Sequence, residues 1–381
     1  MKDGLKARRA AGLLSIVVAL LLCVSLTQLS GCGGADSGQG TGDSASGQAG
    51  SRVITDGAGR QVTVPAATDL KKVFFTSATG EIYLDSLAPE LAAGRGEDYT
   101  ADQLAYLPAG VDKLPNLGTI SGGKQLNQEA IVAAGVQLII DVSAQAISDS
   151  DKTQADDLQQ QTGIPVAVYD GEFAKIAQCY TELGSLLGRE QQAKTLADYV
   201  TSRLDAVEKA VATVPTDKKV SLYYAEGSKG LETEPDNSMH ALTFLTAGAA
   251  NVASNIPLGG NKGMSPVNLE QVIKWNPSVI ISTSNAAGGP GNAMLKDADW
   301  ASISAVKSGR VYVMPDAPFS WCDRPPAVNR ILGVQWVANL LYPKAYKVDM
   351  VKETIDFYKA FYHVDLSEAK AKALLGNSYQ G

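Results

Sequence analysis

The sequence has 381 residues, of which 45% are hydrophobic, and its formal net charge is −7. The apolar content is sufficient for two compact lobes. An acidic chain of this kind is a poor partner for nucleic acid, so we expect no nucleic-acid binding.

The first residues predict export. A basic start is followed by an apolar run over residues 13–26 (LLSIVVALLLCVSL), which has the length of a signal-peptide core and is too short to span a membrane comfortably. The run leads to Leu29-Ser30-Gly31-Cys32, which resembles the bacterial lipobox. This resemblance implies cleavage before Cys32 and a lipid anchor on its thiol. The alternative is an ordinary signal peptide with a chance cysteine. We therefore expect a lipoprotein signal peptide over residues 1–31 and an extracytoplasmic protein anchored to the cell membrane.

Residues 32–51 contain no large apolar side chain. Such a segment cannot bury enough surface to offset its ordering entropy, so it is predicted to be a flexible tether. An N-terminal α/β lobe is predicted over residues 52–171. It begins with a hairpin whose turn is Asp56-Gly57-Ala58-Gly59, and strands are expected over residues 72–76 and 166–169.

A helical linker is predicted over residues 172–211. Apolar residues recur at helical spacing from 173 to 187, Gly188 interrupts them, and a second run covers residues 189–211. A helix of that second length is about 35 Å long and would act as a stiff spine. One such crossing allows less hinge motion than two or three loop crossings.

The C-terminal α/β lobe is predicted over residues 212–375. Strands are expected over residues 220–225, 279–282 and 311–314. Two closing helices are expected over residues 327–341 and 350–362, with a short tail helix after Leu366.

A short internal repeat supports this division into two lobes. Residues 127–141 (NQEAIVAAGVQLIID) and 268–282 (NLEQVIKWNPSVIIS) each place an asparagine before a helical pattern, a break and a β-branched run. Each copy reads as a helix that leads into a buried parallel strand. The sequence therefore predicts an α/β fold: two lobes with mostly parallel sheets, joined by a single long spine helix.

Several stretches are similar to the iron-siderophore and cobalamin class of periplasmic binding proteins (class III), and their order and spacing carry the resemblance. They are residues 56–65 (DGAGRQVTVP), 230–233 (GLET), 238–240 (SMH), 248–253 (GAANVA) and 321–326 (WCDRPP). The resemblance implies a monomeric binding protein that captures a metal chelate, most characteristically a ferric siderophore, and delivers it to the permease and ATPase subunits of an ABC importer. Cobalamin, haem and an oxyanion such as molybdate stay open as cargo on the same scaffold.

Glu129 and Glu270 occupy matching places in the two copies of the repeat. In the family, a glutamate at this position on each lobe docks against arginines of the permease. The alternative is that each carboxylate only stabilises the start of its helix through the helix dipole.

The ligand is expected between the lobes, at the carboxyl ends of the strands. The loops there offer aromatic faces, cations and glycines, which suit a bulky, anionic chelate. Each candidate could instead serve packing or internal pairing. The candidate ligand-binding residues are Trp321, Arg324, Tyr224, Lys124, Glu81, Tyr83 and His240.

The sequence has only two histidines, His240 and His363. Two imidazoles cannot build the histidine-rich cage of a directly bound zinc or manganese ion, so we expect no direct metal site and no cofactor, and any metal would arrive already chelated. Beside Cys32, only Cys179 and Cys322 remain after cleavage, and the sequence leaves open whether these two pair.

The sequence contains neither a G-x-S-x-G nucleophile elbow nor an H-E-x-x-H motif. We therefore expect a protein that is not an enzyme. A surface hydrolase is the alternative from another functional class.

Overall fold

The structure is a computed structural model that describes residues 50–260 and 263–379. The predicted signal peptide, Cys32 and nearly all of the predicted tether lie outside the described residues, so these expectations stay predictions. In the described part of the chain, no helix combines the length and the apolar character needed to cross a membrane.

The N-terminal lobe contains a hairpin, a three-stranded parallel sheet and four helices. The sheet has the strand order β3-β4-β5. The elements are β1 (Ser51–Thr55), β2 (Gln61–Pro65), β3 (Val73–Phe75), α1 (Ala78–Leu87), α2 (Ala101–Leu104), α3 (Gln128–Ala133), β4 (Leu138–Ser143), α4 (Asp149–Thr162) and β5 (Val166–Asp170).

The predicted hairpin is confirmed, and the Asp56 side chain explains its turn. One carboxylate oxygen of Asp56 accepts hydrogen bonds from the backbone N–H groups of Ala58 and Arg60, and the other accepts one from the N–H of Val168 in β5. The Asp56 carboxylate therefore closes the turn and also attaches it to the parallel sheet.

Two helices connect the lobes: α5 (Ile176–Leu187) and α6 (Glu190–Ala212). Gly188 separates them and adopts a left-handed conformation with φ of 66°, which is favourable for glycine at a helix C-terminus. Helix α6 has 23 residues and is the predicted spine. Its buried face includes Leu196, Val200 and Val207.

The C-terminal lobe contains a four-stranded parallel sheet with the order β11-β10-β6-β8 and a small antiparallel pair, β7-β9. Its elements are β6 (Ser221–Ala225), β7 (Glu232–Thr233), α7 (Leu242–Thr246), β8 (Ala250–Asn251), β9 (Ser265–Pro266), α8 (Leu269–Trp275), β10 (Val279–Ser282), α9 (Ser304–Lys307), β11 (Val311–Val313), α10 (Asn329–Leu341), α11 (Met350–Tyr362) and α12 (Glu368–Leu375).

The two copies of the repeat occupy equivalent places in two separate sheets. Helices α3 and α8 begin after Asn127 and Asn268, whose side chains accept hydrogen bonds from the N–H groups of Ala130 and Gln271. Each helix then leads into an inner strand, β4 or β10, which has parallel neighbours on both sides. The predicted two-sheet α/β fold with a connecting spine helix is confirmed.

Helix α11 also links the lobes, which the sequence did not predict. Phe361 of α11 packs edge-on against Tyr180 of α5, with ring centroids 5.9 Å apart, and Tyr358 packs against Tyr106 at 5.8 Å. One apolar core runs from the N-terminal sheet through α5 and α6 to α10 and α11. The lobes are thus joined by a packed interface as well as by the spine. The thiols of Cys179 and Cys322 lie buried within this core, and both are free.

Candidate ligand-binding cleft

A cavity of about 1080 Å³ lies between the lobes, where the carboxyl ends of both parallel sheets meet. Its N-terminal wall comes from the start of α1, the segment 97–106 and the loop after residue 119. Its C-terminal wall comes from His240 and from the loops that follow β10 and β11. In α/β proteins this edge of the sheet is the usual position of a ligand, because the connecting loops converge there.

Glu81, in the first turn of α1, lines the N-terminal wall of the cleft. Its carboxyl accepts a hydrogen bond from the N–H of Gly96 and another from the Tyr99 hydroxyl. Burial raises the pKa of Glu81, and the nearby Arg95 guanidinium opposes that shift. Arg95 itself holds Asp85 through two hydrogen bonds of 2.9 Å. Glu81 therefore positions the 96–99 segment that forms this wall.

Arg324 lines the C-terminal wall and is held by three acidic side chains. Its Nη1 lies 2.6 Å from Glu226 Oε1, its Nη2 lies 3.1 Å from Glu234 Oε1, and it also contacts the Asp323 carboxylate. Glu226, Glu234 and Asp323 are buried, whereas 37% of the Arg324 side chain is exposed. The pKa of Glu226 is raised to about 9, because the group is buried and lies beside the Asp323 and Glu234 carboxylates.

His240 lies in the turn that precedes α7 and belongs to the same network. Its Nδ1 contacts Asp323 Oδ1, while Tyr224 donates a hydrogen bond of 3.0 Å from its hydroxyl to Asp323 Oδ2. His240 lines the cleft, and its contact with a ligand stays a prediction. Asp323 thereby orders the imidazole, the phenol and the Arg324 guanidinium around one buried carboxylate.

The loop over residues 319–324 packs closely against α10. A Cβ atom at Gly333 of that helix would lie 2.1 Å from the Trp321 carbonyl oxygen, so only glycine allows the approach. The loop is fixed further where the Ser320 hydroxyl accepts a hydrogen bond from the N–H of Asp323. This rigid support explains how Arg324 can be held at the cleft wall.

Three of the predicted ligand-binding aromatics lie in the core, which corrects the expectation for them. Tyr83 is 0% exposed and packs against Tyr180, and Tyr224 is 2% exposed and packs against Phe244. Trp321 is 1% exposed and donates a hydrogen bond from Nε1 to a tyrosine hydroxyl on α11. All three lie outside the cleft lining. Each of the three rings packs against another aromatic ring of the core instead of facing the cavity.

The aromatic surface of the cleft comes instead from Tyr99, Tyr106 and Phe319. Tyr99 and Phe319 pack edge-on across the cleft with ring centroids 5.7 Å apart. Phe319 begins a loop that the sequence marked as a candidate, but the two tyrosines lie in a segment without a clear periodic pattern. Their only sequence signal is a tyrosine in a polar stretch, which is too weak to predict a site.

Lys124 also differs from the expectation. Its side chain is 59% exposed, and its Nζ lies 2.7 Å from Glu97 Oε1. Lys124 borders a smaller pocket beside α4, whereas Glu97 lines the cleft. The Lys124 ammonium therefore neutralises the Glu97 carboxylate of the cleft, but Lys124 itself does not line the cavity.

Glu129 and Glu270 lie in the first turns of α3 and α8, and both are exposed. Neither residue lines the cleft. Their equivalent positions on the two lobes fit the predicted docking role and also fit stabilisation of the helix starts, so docking stays a prediction.

Within residues 50–260 and 263–379, no group of three or more histidine, cysteine, aspartate or glutamate side chains has the arrangement of a metal site. The acidic network at Arg324 is occupied by the guanidinium. The arrangement can bind a bulky solute between two walls and enclose it with aromatic and polar groups.

Comparisons with known proteins agree with this architecture. The family model described as "Periplasmic binding protein" matches residues 98–318. The molybdate-binding protein MolA of Haemophilus influenzae is 29% identical over 217 residues, which is 57% of this chain and 54% of that protein. The match thus spans about half the length of this curated relative.

Solved structures extend the similarity to most of the described fold. An ABC transporter solute binding protein from Sulfurospirillum deleyianum has 27% identity and a TM-score of 0.76, with 85% of this chain and 98% of that chain covered. CeuE from Helicobacter pylori with Ni(II) bound has 16% identity and a TM-score of 0.60, with coverages of 85% and 99%, and this shows likeness of fold alone. The family model covers more than half of the chain, and the two-lobed fold agrees with it. The chain is a member of the periplasmic binding protein family.

Proposed function

We propose that this chain is the solute-binding component of an ABC importer and that it captures a metal chelate, with a ferric siderophore as the leading cargo. The observation that carries the proposal is the cavity of about 1080 Å³ between the lobes. A cavity of this size is suited to a bulky organic complex, because drug-sized ligands occupy pockets of roughly 300–1,000 Å³. Family membership and the solute-binding relative from Sulfurospirillum deleyianum support the transport role.

The proposal includes an extracytoplasmic location with a lipid anchor on Cys32. Membership in a family of periplasmic binding proteins supports the location. The lipobox-like sequence before Cys32 supports the anchor. The partners would be a permease and an ATPase, with Glu129 and Glu270 as the docking residues on the two lobes.

Molybdate is the second candidate cargo, because the curated relative with 29% identity is a molybdate-binding protein. A tetrahedral oxyanion would fill only a small part of the cavity. Cobalamin and haem fit the volume, but no contact in the cleft favours either of them over a ferric siderophore. The relatives named above are binding proteins, so the hydrolase alternative gains no support.

The test is to fill the cleft with a bulky side chain. Ala287 is exposed and lines the cavity, so Ala287→Trp would block the ligand without disturbing the core. Native mass spectrometry of the purified protein first identifies the metal chelate that it carries. We expect Ala287→Trp to lower the affinity for that chelate by about tenfold or more, which corresponds to about 1.4 kcal/mol of binding free energy.

The matched control is Ala212→Trp, at the exposed end of α6 and away from the cleft. This variant should bind with unchanged affinity in isothermal titration calorimetry. Full binding by Ala287→Trp, or purified protein that neither carries nor binds any metal chelate, would refute the proposal.

A further inference from the structure

The N-terminal wall of the cleft carries carboxylates with little compensation. Asp98 and Asp102 line the cavity and are exposed, and neither forms an ion pair within the described part of the chain. Glu97 is neutralised by Lys124, and the buried Glu81 shares Arg95 with Asp85. This wall therefore presents net negative charge to a ligand.

The C-terminal wall adds to that charge, although it contains Arg324. One guanidinium faces three carboxyl groups, so its positive charge is more than offset even with Glu226 protonated at neutral pH. Asp316 also lines the cleft and accepts a hydrogen bond from the Ser284 hydroxyl. Arg324 is thus a positioning residue that holds acidic groups together at the wall.

Two buried oxygens of this cluster, Glu226 Oε2 and Glu234 Oε2, have no hydrogen-bond partner among the described residues. Both side chains are 1% exposed. A buried oxygen without a donor is costly, and a cation or a hydrogen-bond donor would relieve that cost. With Glu226 protonated, its carboxyl O–H can donate to Glu234, and among the described residues the Glu234 and Asp323 carboxylates still face one guanidinium.

Among the described residues, two weak sources of positive potential in the cleft add to Arg324. Lys370 lines the cavity, with its Nζ 5.9 Å from the centroid of the Tyr106 ring. The start of α1 also faces the cavity, but Glu81 lies in its first turn and opposes the partial charge of about +0.5 at a helix N-terminus. Neither source balances the carboxylates on the two walls.

From this distribution we infer that the cleft selects its cargo by positive charge: the solute is a metal complex with a net positive charge, and free oxyanions and anionic chelates are excluded. The inference rests on the proposed function, because it assigns a charge class to the ligand of the same cleft. It separates this chain from its molybdate-binding relative, which the overall fold does not. A ligand with the same sign of charge as the cleft is repelled, whereas a ligand of opposite charge associates faster and is bound more selectively.

The first experiment measures the potential in the cleft without requiring the cargo. Ala287→Cys places a thiol in the cavity wall, and Ala212→Cys places a control thiol at the exposed end of α6. Each full-length variant, purified in detergent, is treated with a trimethylammonium methanethiosulfonate and with a sulfonate methanethiosulfonate of similar size. The rates of the protein without the added cysteine are subtracted.

We expect the ratio of the labelling rate with the cationic reagent to the rate with the sulfonate reagent to be about tenfold higher at position 287 than at position 212 at low ionic strength. The difference between the positions should shrink at high salt. The double substitution Asp98→Asn with Asp102→Asn should reduce this preference, because both side chains are exposed and can be changed without disturbing the core. Equal ratios at the two positions, or a preference for the sulfonate reagent at position 287, would overturn the inference.

The second experiment uses one ferric trihydroxamate in three charge states. Ferrioxamine B carries a free amine and is cationic, its acetylated form is neutral, and its succinylated form is anionic, while the iron centre stays the same. We expect affinity in calorimetry to fall in that order by about tenfold at each step, with no binding of sodium molybdate. Tightest binding by the succinylated form or by molybdate would overturn the inference and leave the transport proposal standing.

Failure of all four probes to bind, together with cation preference at position 287, would support the charge inference and count against a ferric hydroxamate as the cargo of the proposed importer. The two experiments therefore distinguish an error in the charge class from an error in the function.

Discussion

The Glu226 carboxyl is buried beside two other acidic side chains, and this environment favours its protonated form. The groups that face it are Asp323, Arg324 and Glu234, of which only Arg324 stabilises the charged form. Folding therefore raises the pKa of Glu226 from its ordinary value of 4.5 to about 9. Between these two values the folded state binds a proton that the unfolded state has released.

This proton uptake predicts a pH-dependent stability. The stabilisation is fully present below pH 4.5 and is lost as the pH rises through about 9, because the folded protein must then bury a third carboxylate charge beside Asp323 and Glu234. We expect the melting temperature to fall between pH 5 and pH 9, and Glu226→Gln to reduce that fall. Differential scanning calorimetry at several pH values measures both.

Glu208→Gln is the matched control, because Glu208 is exposed on α6 and is not among the groups that shift the pKa of Glu226. It should retain the pH dependence of the unsubstituted protein. Identical pH profiles for Glu226→Gln and Glu208→Gln would contradict the assignment of the titration to Glu226.

At the scale of the element, helices α3 and α8 are constructed alike. Each begins with an asparagine cap and ends in a residue with positive φ: Gly135, with φ of 72°, follows α3, and Asn276, with φ of 46°, ends α8. Glycine and asparagine are the residues that tolerate this conformation best. The two short helices therefore present Glu129 and Glu270 from equivalent positions.

The docking proposal predicts a separation between binding and uptake. Glu129→Gln combined with Glu270→Gln should leave cargo affinity unchanged, because neither residue lines the cleft, while uptake through the importer falls at least about tenfold. Calorimetry measures the first quantity and transport into proteoliposomes containing the permease and ATPase measures the second.

Glu208→Gln serves again as the exposed control and should transport normally. A first-turn glutamate also interacts with the helix dipole, which is worth about 0.3–1 kcal/mol, so the melting temperature must be recorded for each variant. Unchanged uptake by the double variant would rule out the docking role.

For the whole molecule, the spine α6 and the packing of α11 against the N-terminal lobe restrict relative motion. The Phe361 ring contacts Tyr180 and Tyr199, and the Tyr358 ring contacts Tyr106, so opening the lobes would expose apolar surface. Packed interfaces of this kind resist large hinge rotations. The cleft is therefore largely preformed.

We expect ligand binding to change the radius of gyration by less than about 1 Å in small-angle X-ray scattering. Phe361→Leu, which keeps an apolar side chain but removes the ring contacts, should allow a larger change. A large compaction of the unsubstituted protein would show that the lobes close on the ligand, against this expectation.

The sequence by itself determined the fold class, the division into two lobes and the positions of most helices and strands. These features follow from local signals: the repeat at residues 127 and 268, the asparagine caps, and the periodicity of apolar residues. The spine prediction over residues 189–211 differs from α6 (Glu190–Ala212) by one residue at each end. Hydrophobic periodicity and helix caps depend on residues within one or two helical turns of each other, so they can be recognised in the sequence without the tertiary structure.

Only the tertiary structure decided which side chains reach the cleft and what charge the cleft carries. Trp321 and Tyr83 follow strands, as expected of ligand-binding residues, but α11 and α5 bury them. An exposed arginine is a typical anion-binding residue. Here, however, the Arg324 guanidinium is paired with Glu226 and Glu234, which lie about 90 or more residues away in sequence. Exposure and ion pairing depend on contacts between distant segments, and a linear pattern of residue types does not encode which of those contacts form.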